Sequence, residues 1–579
     1  MSSAKSDESQ RGLKRFAPHL PPPLRKFAWH AVDALPPAIQ RLFGHTEEHR
    51  RWKMEQLYAG EGAPPGSAPT VLFWVTGGMH MLLHVEAAIA AALRLRGYNV
   101  HAVICDSPYL ACIKREATDG IPMEDWRKLC PGCIASNRSV LELMGIPYSF
   151  VGDFVPHEVR QGLWRQAERC TPANVLELSH NGLPVGRNVL SAVQRYMRGV
   201  PAPIDERILR QYAYSGLVTA EASSRAMDRF APARVFMSHG VYVDWGPSLH
   251  NALRREIPVT GWKASYLPAR FIFRQVTDGE RIDFHNVGHE TWKARAATPL
   301  TAGEEDRLQT FLQRRYRSGV SFDMHAVKRY TGEVARFREK YSLSEDRPVW
   351  GILTHILWDS ISDYSPMAYD TIEEWLLDTV DQVCRITDVQ WLIKVHPAEA
   401  GDAPVTGAYH LIRQRFPDLP PHVHLIPATE EISPLEFFDL VDGGVTVYGT
   451  GGLELALAGK PVILAGEAHY GLKGFTEDTA DVASYRAALA KAGSTGALND
   501  CQTSLARRYA YSLFIQRQVP LPIVRDPDTS WWKLQHEKRR QLLPGAEPFM
   551  DFICDQVMAG EDFMMPPALV DLAEKQEWG

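Results

Sequence analysis

Lys394 and His396 stand two apart in Trp391-Leu392-Ile393-Lys394-Val395-His396-Pro397, so on a strand both project from the same side. Pro397 holds His396 extended at the point where the strand must stop. A cation and an imidazole at a strand exit can donate hydrogen bonds to negative charge developing on a phosphate leaving group. Taken as an isolated motif, the same histidine would only cap a turn. Further along, Gly449-Thr450-Gly451-Gly452 separates an apolar run ending at Tyr448 from a helical stretch, Leu453–Ala458. Small residues there let a ligand approach the backbone N–H groups of a helix N-terminus, where the dipole favours phosphate, and Thr450 adds a hydroxyl. Glu454 in the first turn either accepts from a ribose diol or compensates the dipole.

Acid–base candidates flank these. His355 and Asp359 lie in Leu353-Thr354-His355-Ile356-Leu357-Trp358-Asp359-Ser360, after a strand, where either could act on a leaving phosphate or as acid or base. In the alternative, Asp359 is an N-cap and His355 packs. In the first half, Ser238-His239-Gly240 and the Gly77-Gly78-Met79-His80 turn, with Glu86 in the helix that follows, supply candidates to deprotonate an attacking hydroxyl, His239 before Glu86. Four of the eight cysteines, Cys105, Cys112, Cys130 and Cys133, follow the pattern Cys-x6-Cys-x17-Cys-x2-Cys. Four thiolates so spaced fit tetrahedral structural zinc, and an iron–sulfur cluster uses the same ligands; buried free thiols are the other reading. Asp526-Pro527-Asp528 reads as a turn, not a metal motif.

The elements that must position these groups alternate. Thr70–Thr76 reads as a strand, Met81–Leu95 as a helix ending before Gly97, and Asn99–Ile104 as a second strand, a βαβ opening that predicts a parallel sheet. Strands are expected again at Arg234–Ser238 and Ile257–Trp262. After a charged helical connector the alternation restarts with Val349–Thr354, Gln390–Val395, His424–Ile426, Val445–Tyr448 and Pro461–Leu464, separated by helices. The expected division is a basic helical arm and linker over 1–69, a first Rossmann-like domain over 70–345 with a Cys-rich insertion at 105–133, a second over 346–503, and a helical extension over 504–579. The fold class is α/β, with doubly wound parallel sheets.

Composition narrows the function classes. With 579 residues, 45% hydrophobic and 23% charged, and a net charge of −6, the chain has material for two cores and no general electrostatic reason to bind nucleic acid. The apolar runs are too short to span a bilayer, and the polar start Met1–Gln10 lacks a secretory core, so a cytoplasmic location with reduced thiols is expected. Residues 1–58 carry ten Lys/Arg against six Asp/Glu, interleaved with Phe27, Trp29, Leu42 and Phe43. That pattern suits a peripheral membrane contact or a clamp on the body.

Ile393-Lys394-Val395-His396-Pro397, Thr450-Gly451-Gly452-Leu453-Glu454-Leu455-Ala456-Leu457-Ala458-Gly459-Lys460-Pro461-Val462 and Tyr470-Gly471-Leu472-Lys473-Gly474-Phe475-Thr476-Glu477-Asp478 together resemble the capsule polysaccharide biosynthesis proteins, which include Kdo transferases. The resemblance runs roughly from Trp350 to Asp478. It implies a GT-B-like pair of Rossmann-like domains facing a cleft. It also implies metal-independent glycosyl transfer from a CMP- or UDP-type nucleotide-sugar to a glycan or lipid-linked glycan acceptor. Lys394, His396, Thr450 and Glu454 would contact the donor nucleotide, with Gly449, Gly451 and Gly452 forming the turn. The family often carries Ser-Ser where this chain has Thr450-Gly451, which leaves the base open. A cytidine-donor polyol-phosphate transferase and a non-catalytic scaffold of a glycan assembly complex are the alternatives.

Overall fold

The computed structural model describes residues 47–62, 64–76, 80–198, 204–267, 269–276, 285–317, 330–358, 366–401, 407–525 and 532–576. Residues 1–46 of the basic arm, Gly77-Gly78-Met79, the acid–base candidate Asp359 and Asp526-Pro527-Asp528 lie outside them.

After α1 (Glu47–Glu61), the first unit opens with β1 (Thr70–Trp74), whose residues from Val71 onward are all buried, the mark of a strand covered on both faces. In α2 (His80–Leu95) the alanine-rich stretch 85–93 is buried throughout, because a helix apolar on every side is stable only when enclosed. The chain turns at Gly97 with φ 83°, a left-handed position that glycine fills without a Cβ clash. It then enters β2 (Asn99–Ile104), which lies parallel to β1 with Val71 opposite Val100. An irregular stretch leads to α3 (Cys130–Met144) and β3 (Tyr148–Phe150). A long helix, α4 (Glu206–Phe230), precedes β4 (Arg234–Ser238), α5 (Tyr242–Arg254), β5 (Val259–Ala264) and β6 (Arg270–Val276).

Helix α6 (Ala302–Arg317) leaves this unit. The second unit is β7 (Val349–Leu353), α7 (Ile372–Val383), β8 (Gln390–Lys394), β9 (Val423–Ile426), α8 (Pro434–Leu440), β10 (Gly443–Thr446), α9 (Thr450–Leu457), β11 (Val462–Leu464) and β12 (Glu477–Asp478). Side chains start its helices where the sequence offers caps. Thr371 accepts from Glu374 N–H before α7, and Ser433 forms a reciprocal capping box with Glu436 before α8. The tail, α10 (Asp500–Tyr511), β13 (Val519–Pro520) and α11 (Pro548–Ala559), returns to the first unit.

The two sheets have the orders β13-β6-β5-β4-β1-β2-β3 and β9-β8-β7-β10-β11-β12. The second is parallel throughout. The first is parallel from β3 to β5, but β6 runs antiparallel to both its neighbours, β5 and β13. Residues 265–269 joining β5 to β6 are too few for a crossover, so the strand folds back as a hairpin. Trp74, Trp245 and Trp262 fill the core of the first unit, and Trp350, Trp375 and Trp391 that of the second.

Candidate functional site

In the second sheet the strand exits lie level: Lys394 pairs with Leu353 and with Ile426, and Leu464 with Thr446. Just past this edge, Thr354 Oγ1 accepts from His396 N–H (3.0 Å), and the Nδ1 of His396 accepts from Ala398 N–H (3.2 Å). The imidazole therefore caps the short turn Ala398–Gly401, and the proton of its neutral form resides on Nε2. Lys394 Nζ donates to Val395 O at 3.3 Å and adds to the cations that hold the Glu430 carboxyl low. His355 sits between the two sides of the edge, its Nδ1 3.2 Å from Ile356 O and its ring edge-on to Tyr448 at 6.0 Å.

β10 is separated from β8 by β7, so the α9 start lies about 10 Å along the edge from His396, with the β7 exit between. Gly449 N-caps α9, and its carbonyl accepts from Tyr470 Oη at 2.7 Å. Side chains at two of these glycines would crowd their neighbours: a Cβ on Gly451 would meet Leu353 Cδ1 at 2.7 Å, and one on Gly452 would meet Tyr470 Oη at 2.1 Å. Glu454 forms a buried ion pair. Its carboxylate accepts from Arg315 Nε at 2.8 Å, both side chains being buried. Burial works against the charge on Arg315, yet Glu454 raises its pKa above the ordinary value. Arg315 comes from α6 and lies over the rings of Tyr266 (5.3 Å) and Phe514 (5.8 Å).

Tyr266, just past β5, brings the two edges together: its hydroxyl is 3.3 Å from Thr450 Oγ1. Behind it, Tyr266, His285, His469 and Tyr509 form a row of rings, and His469 Nδ1 is 2.9 Å from Tyr509 Oη. Arg315, Tyr266, Tyr470 and His469 escape a sequence reading; the only local signal is Tyr470 inside the third family-like stretch.

On the first sheet, Glu86 and His239 are brought to one strand exit. Glu86 Oε1 accepts from Ser238 N–H (3.1 Å) and Trp262 Nε1–H (3.2 Å), and burial pushes its carboxyl up to about 8 against those two hydrogen bonds. His239 has φ 55°, Gly240 68° and Tyr242 61°, a concentration of left-handed backbone that side chains at His239 and Tyr242 tolerate only at a cost. One turn on, Asp244 is an unanticipated buried acid. Its carbonyl accepts from Trp74 Nε1 and Thr76 Oγ1, its Oδ2 accepts from Ile113 N–H at 3.0 Å, and burial raises it to about 7.

Cys105, Cys112, Cys130 and Cys133 all line one cavity, at the β1 and β2 exits, together with Thr76, Tyr109 and Arg115. None of the four is disulfide-bonded, and burial pushes Cys112 up to about 12 and Cys133 upward. Among the described residues no three His, Cys, Asp or Glu side chains are placed to hold a metal ion. The compact tetrahedron of structural zinc is thus not formed: Cys105 is held by the strand end, and Cys130 and Cys133 by the first turn of α3. Among the described residues no helix is long and apolar enough to cross a membrane.

Residues 369–498 match the family described as capsule polysaccharide biosynthesis protein. That segment carries the capsule-synthesis pattern. It takes in Lys394, His396 and the whole turn from Gly449 to Glu454. No curated protein matches the chain. Similar solved structures include the Thermosulfurimonas dismutans KpsC beta-Kdo 2,4 transferase (15% identity, 54% of this chain and 87% of that one, TM-score 0.31). Another is the UDP-GlcNAc 2-epimerase of Neisseria meningitidis bound to UDP-GlcNAc (12%, 77% and 97%, TM-score 0.24). A third is the glycosyltransferase SnogD of Streptomyces nogalater (14%, 78% and 96%, TM-score 0.23). At these scores none carries an argument about activity.

Proposed function

We propose that this protein is a glycosyltransferase that moves a sugar from a nucleotide-activated donor to a capsular or other surface glycan. The observation that carries the reading is the start of α9. There Gly449, Gly451 and Gly452 leave backbone N–H groups bare of side chains at a parallel sheet's exit edge, inside the capsule-synthesis segment and opposite Tyr266 of the first unit. A helix N-terminus of this kind suits the donor's phosphates. His396, with Nδ1 committed to Ala398, offers Nε2–H to the departing phosphate, and Lys394 adds charge to the same edge. In the displacement, the anomeric carbon–phosphate oxygen bond breaks as the acceptor oxygen bonds to that carbon, and the acceptor's proton passes to a base. Glu86 holds its own proton at neutral pH, so His239 is assigned as the base and Glu86 as the group that fixes the β4 exit. Glu454 acts through Arg315, shaping the α9 start without touching the donor.

The test is a thermal-shift screen with CMP, CDP and UDP, followed by assay of nucleotide release from CMP- and UDP-sugars. Saturation to about a hundred times Kd should stabilise the fold by about 2.7 kcal/mol. If no nucleotide raises Tm and none is released, the transferase reading fails. Phosphorus retained in the product would mark polyol-phosphate transfer instead.

A further inference from the structure

We propose that the groove beside the helix His157–Ala167 binds an anionic glycan chain through Arg127, Arg160 and Arg165. His157, Arg160, Gln161, Trp164 and Arg165 share one face of that helix by the three- and four-residue spacing of its turns, and all of them line one groove of about 400 Å³. Leu110, Arg127 and Tyr214 of α4 line it too. Ser215 Oγ accepts from Ala111 N–H at 3.1 Å, so the groove lies against the stretch that leaves the β2 exit. Trp164 and Tyr214 meet edge to face at 5.8 Å, and such rings give apolar surface to a sugar ring.

The groove's charge has one sign. Among the described residues no Asp or Glu lines it, and none of its three arginines is in an ion pair. Elsewhere on this unit surface arginines are matched: Arg138 with Glu142, Arg207 with Asp205 and Arg210 with Glu206. Arg127 Nη2 donates to Ser107 O at 2.8 Å, whereas Arg160 Nε is shut from solvent with no hydrogen-bond partner among the described residues. Burial raises the pKa of the Tyr214 hydroxyl, and Arg160 and Arg127 work against it from nearby. A guanidinium without a carboxylate offers its fork to an arriving carboxylate or phosphate. On a glycan that charge comes from acidic sugars or from phosphodiester links, and the fork takes either.

Leu110 and Arg127 also belong to the wall of the small cavity at the β1 and β2 exits. At about 40 Å³ it has room for one acid group and not for a sugar ring. Arg115 lines it and is 5% exposed; its Nη2 donates to Trp126 O, and its Nη1 has no hydrogen-bond partner among the described residues. A buried donor left bare is costly, and an anion in contact removes that cost. The sites follow the sheet: the groove beside the stretch after β2, the cavity at the β1 and β2 exits, then β4, next to β1, with His239 at its exit. A chain along this line, its last acid group against Arg115, brings its terminal hydroxyl toward the assigned base; that step rests on the transferase reading. A short, enclosed groove suits sugar rings, whereas a nucleic acid needs a longer cationic stripe, and the net charge of −6 opposes it.

The experiment is calorimetric titration of the full chain, without nucleotide, with oligogalacturonate, with poly(glycerol phosphate), with a neutral maltooligosaccharide of matched length and with a single-stranded oligonucleotide. One of the two anionic glycans should bind, and so name the charge that is read. The neutral sugar should bind about tenfold or more weakly. Arg160→Gln/Arg165→Gln should keep its Tm and weaken binding about tenfold or more, while R385Q, at an exposed pair in α7, should change nothing. In the unmutated chain the bound glycan should protect Arg160 and Arg165 from an arginine-specific reagent, which keeps the test decisive if the double variant misfolds. Equal binding of neutral and anionic sugars, no binding of either anionic chain, tighter binding of the oligonucleotide, or unprotected arginines would overturn the groove. Binding of the anionic glycan by a protein that takes no nucleotide would keep the groove and sink the transferase reading.

Discussion

His396 carries two duties that can be separated by substitution. Its Nδ1 caps the turn at Ala398, and its Nε2–H is the assigned donor to the leaving phosphate. Asparagine can supply the capping acceptor but not the acid. H396N should therefore keep its Tm while losing turnover about a hundredfold, the scale of losing one preorganised donor. H396A should lose turnover similarly and also about 1 kcal/mol of stability with the cap. Full activity in H396N, by steady-state assay, would reduce the residue to a cap. Glu86 makes a pH statement. Its carboxyl titrates at an ordinary value near 4.5 when unfolded and at about 8 when folded, so the native state holds the extra proton. The stability this confers is complete below the unfolded value and drains away as pH rises toward the folded one. Raising the pH from about 6 to about 9 should lower Tm more in the native protein than in E86Q, which keeps an acceptor for Ser238 N–H and has no proton to lose. Equal slopes in the two melting series would contradict the burial-driven shift.

At the level of single elements, α9 depends on absent side chains. A methyl on Gly452 would sit 2.1 Å from Tyr470 Oη, which itself bonds Gly449 O. G452A should cost about 1–3 kcal/mol through overpacking and abolish nucleotide-induced stabilisation, because the N–H groups move with the turn. G303A, in α6 with open space around its would-be Cβ, is the control and should leave both readouts unchanged. The parallel sheets were legible because Val71–Trp74, Trp391–Ile393 and Val462–Leu464 are unbroken apolar runs between glycine-marked turns. β6 was not, because Arg270, Arg274 and Gln275 interrupt its apolar pattern. In the fold all three are buried, and two of them reach the tail: Arg270 Nη2 donates to Ala573 O at 2.6 Å and Gln275 Nε2 to Gln556 O at 2.9 Å. Partners some three hundred residues away leave no trace in local periodicity. At the site, the turn from Gly449 to Gly452 and the Lys394/His396 pair show in the sequence because their spacing is local. Asp244 and Tyr266 do not, since only strand order places them.

Across the whole molecule, the buried pair Arg315–Glu454 is where the first unit, the second unit and the tail meet. The guanidinium comes from α6, the carboxylate from α9, and the faces of Tyr266 and Phe514 enclose the cation. The pair's net worth is small, since removing two charges from water offsets most of their attraction, but losing one partner strands the other. R315M should therefore cost about 3–5 kcal/mol, read as a drop in Tm and in the denaturant midpoint. R315M/E454L, with both charges gone and the volume roughly kept, should recover most of that loss. The two variants should part company from stability in one respect. Because Glu454 is assigned to shape the α9 start through Arg315, the double variant should fold yet bind nucleotide more weakly, as the geometry of Thr450 against Tyr266 relaxes. A single variant as stable as the native chain would show that the pair is solvated and that the two sheets are not locked at this point. A double variant with full nucleotide affinity would show that the α9 start holds its shape unaided.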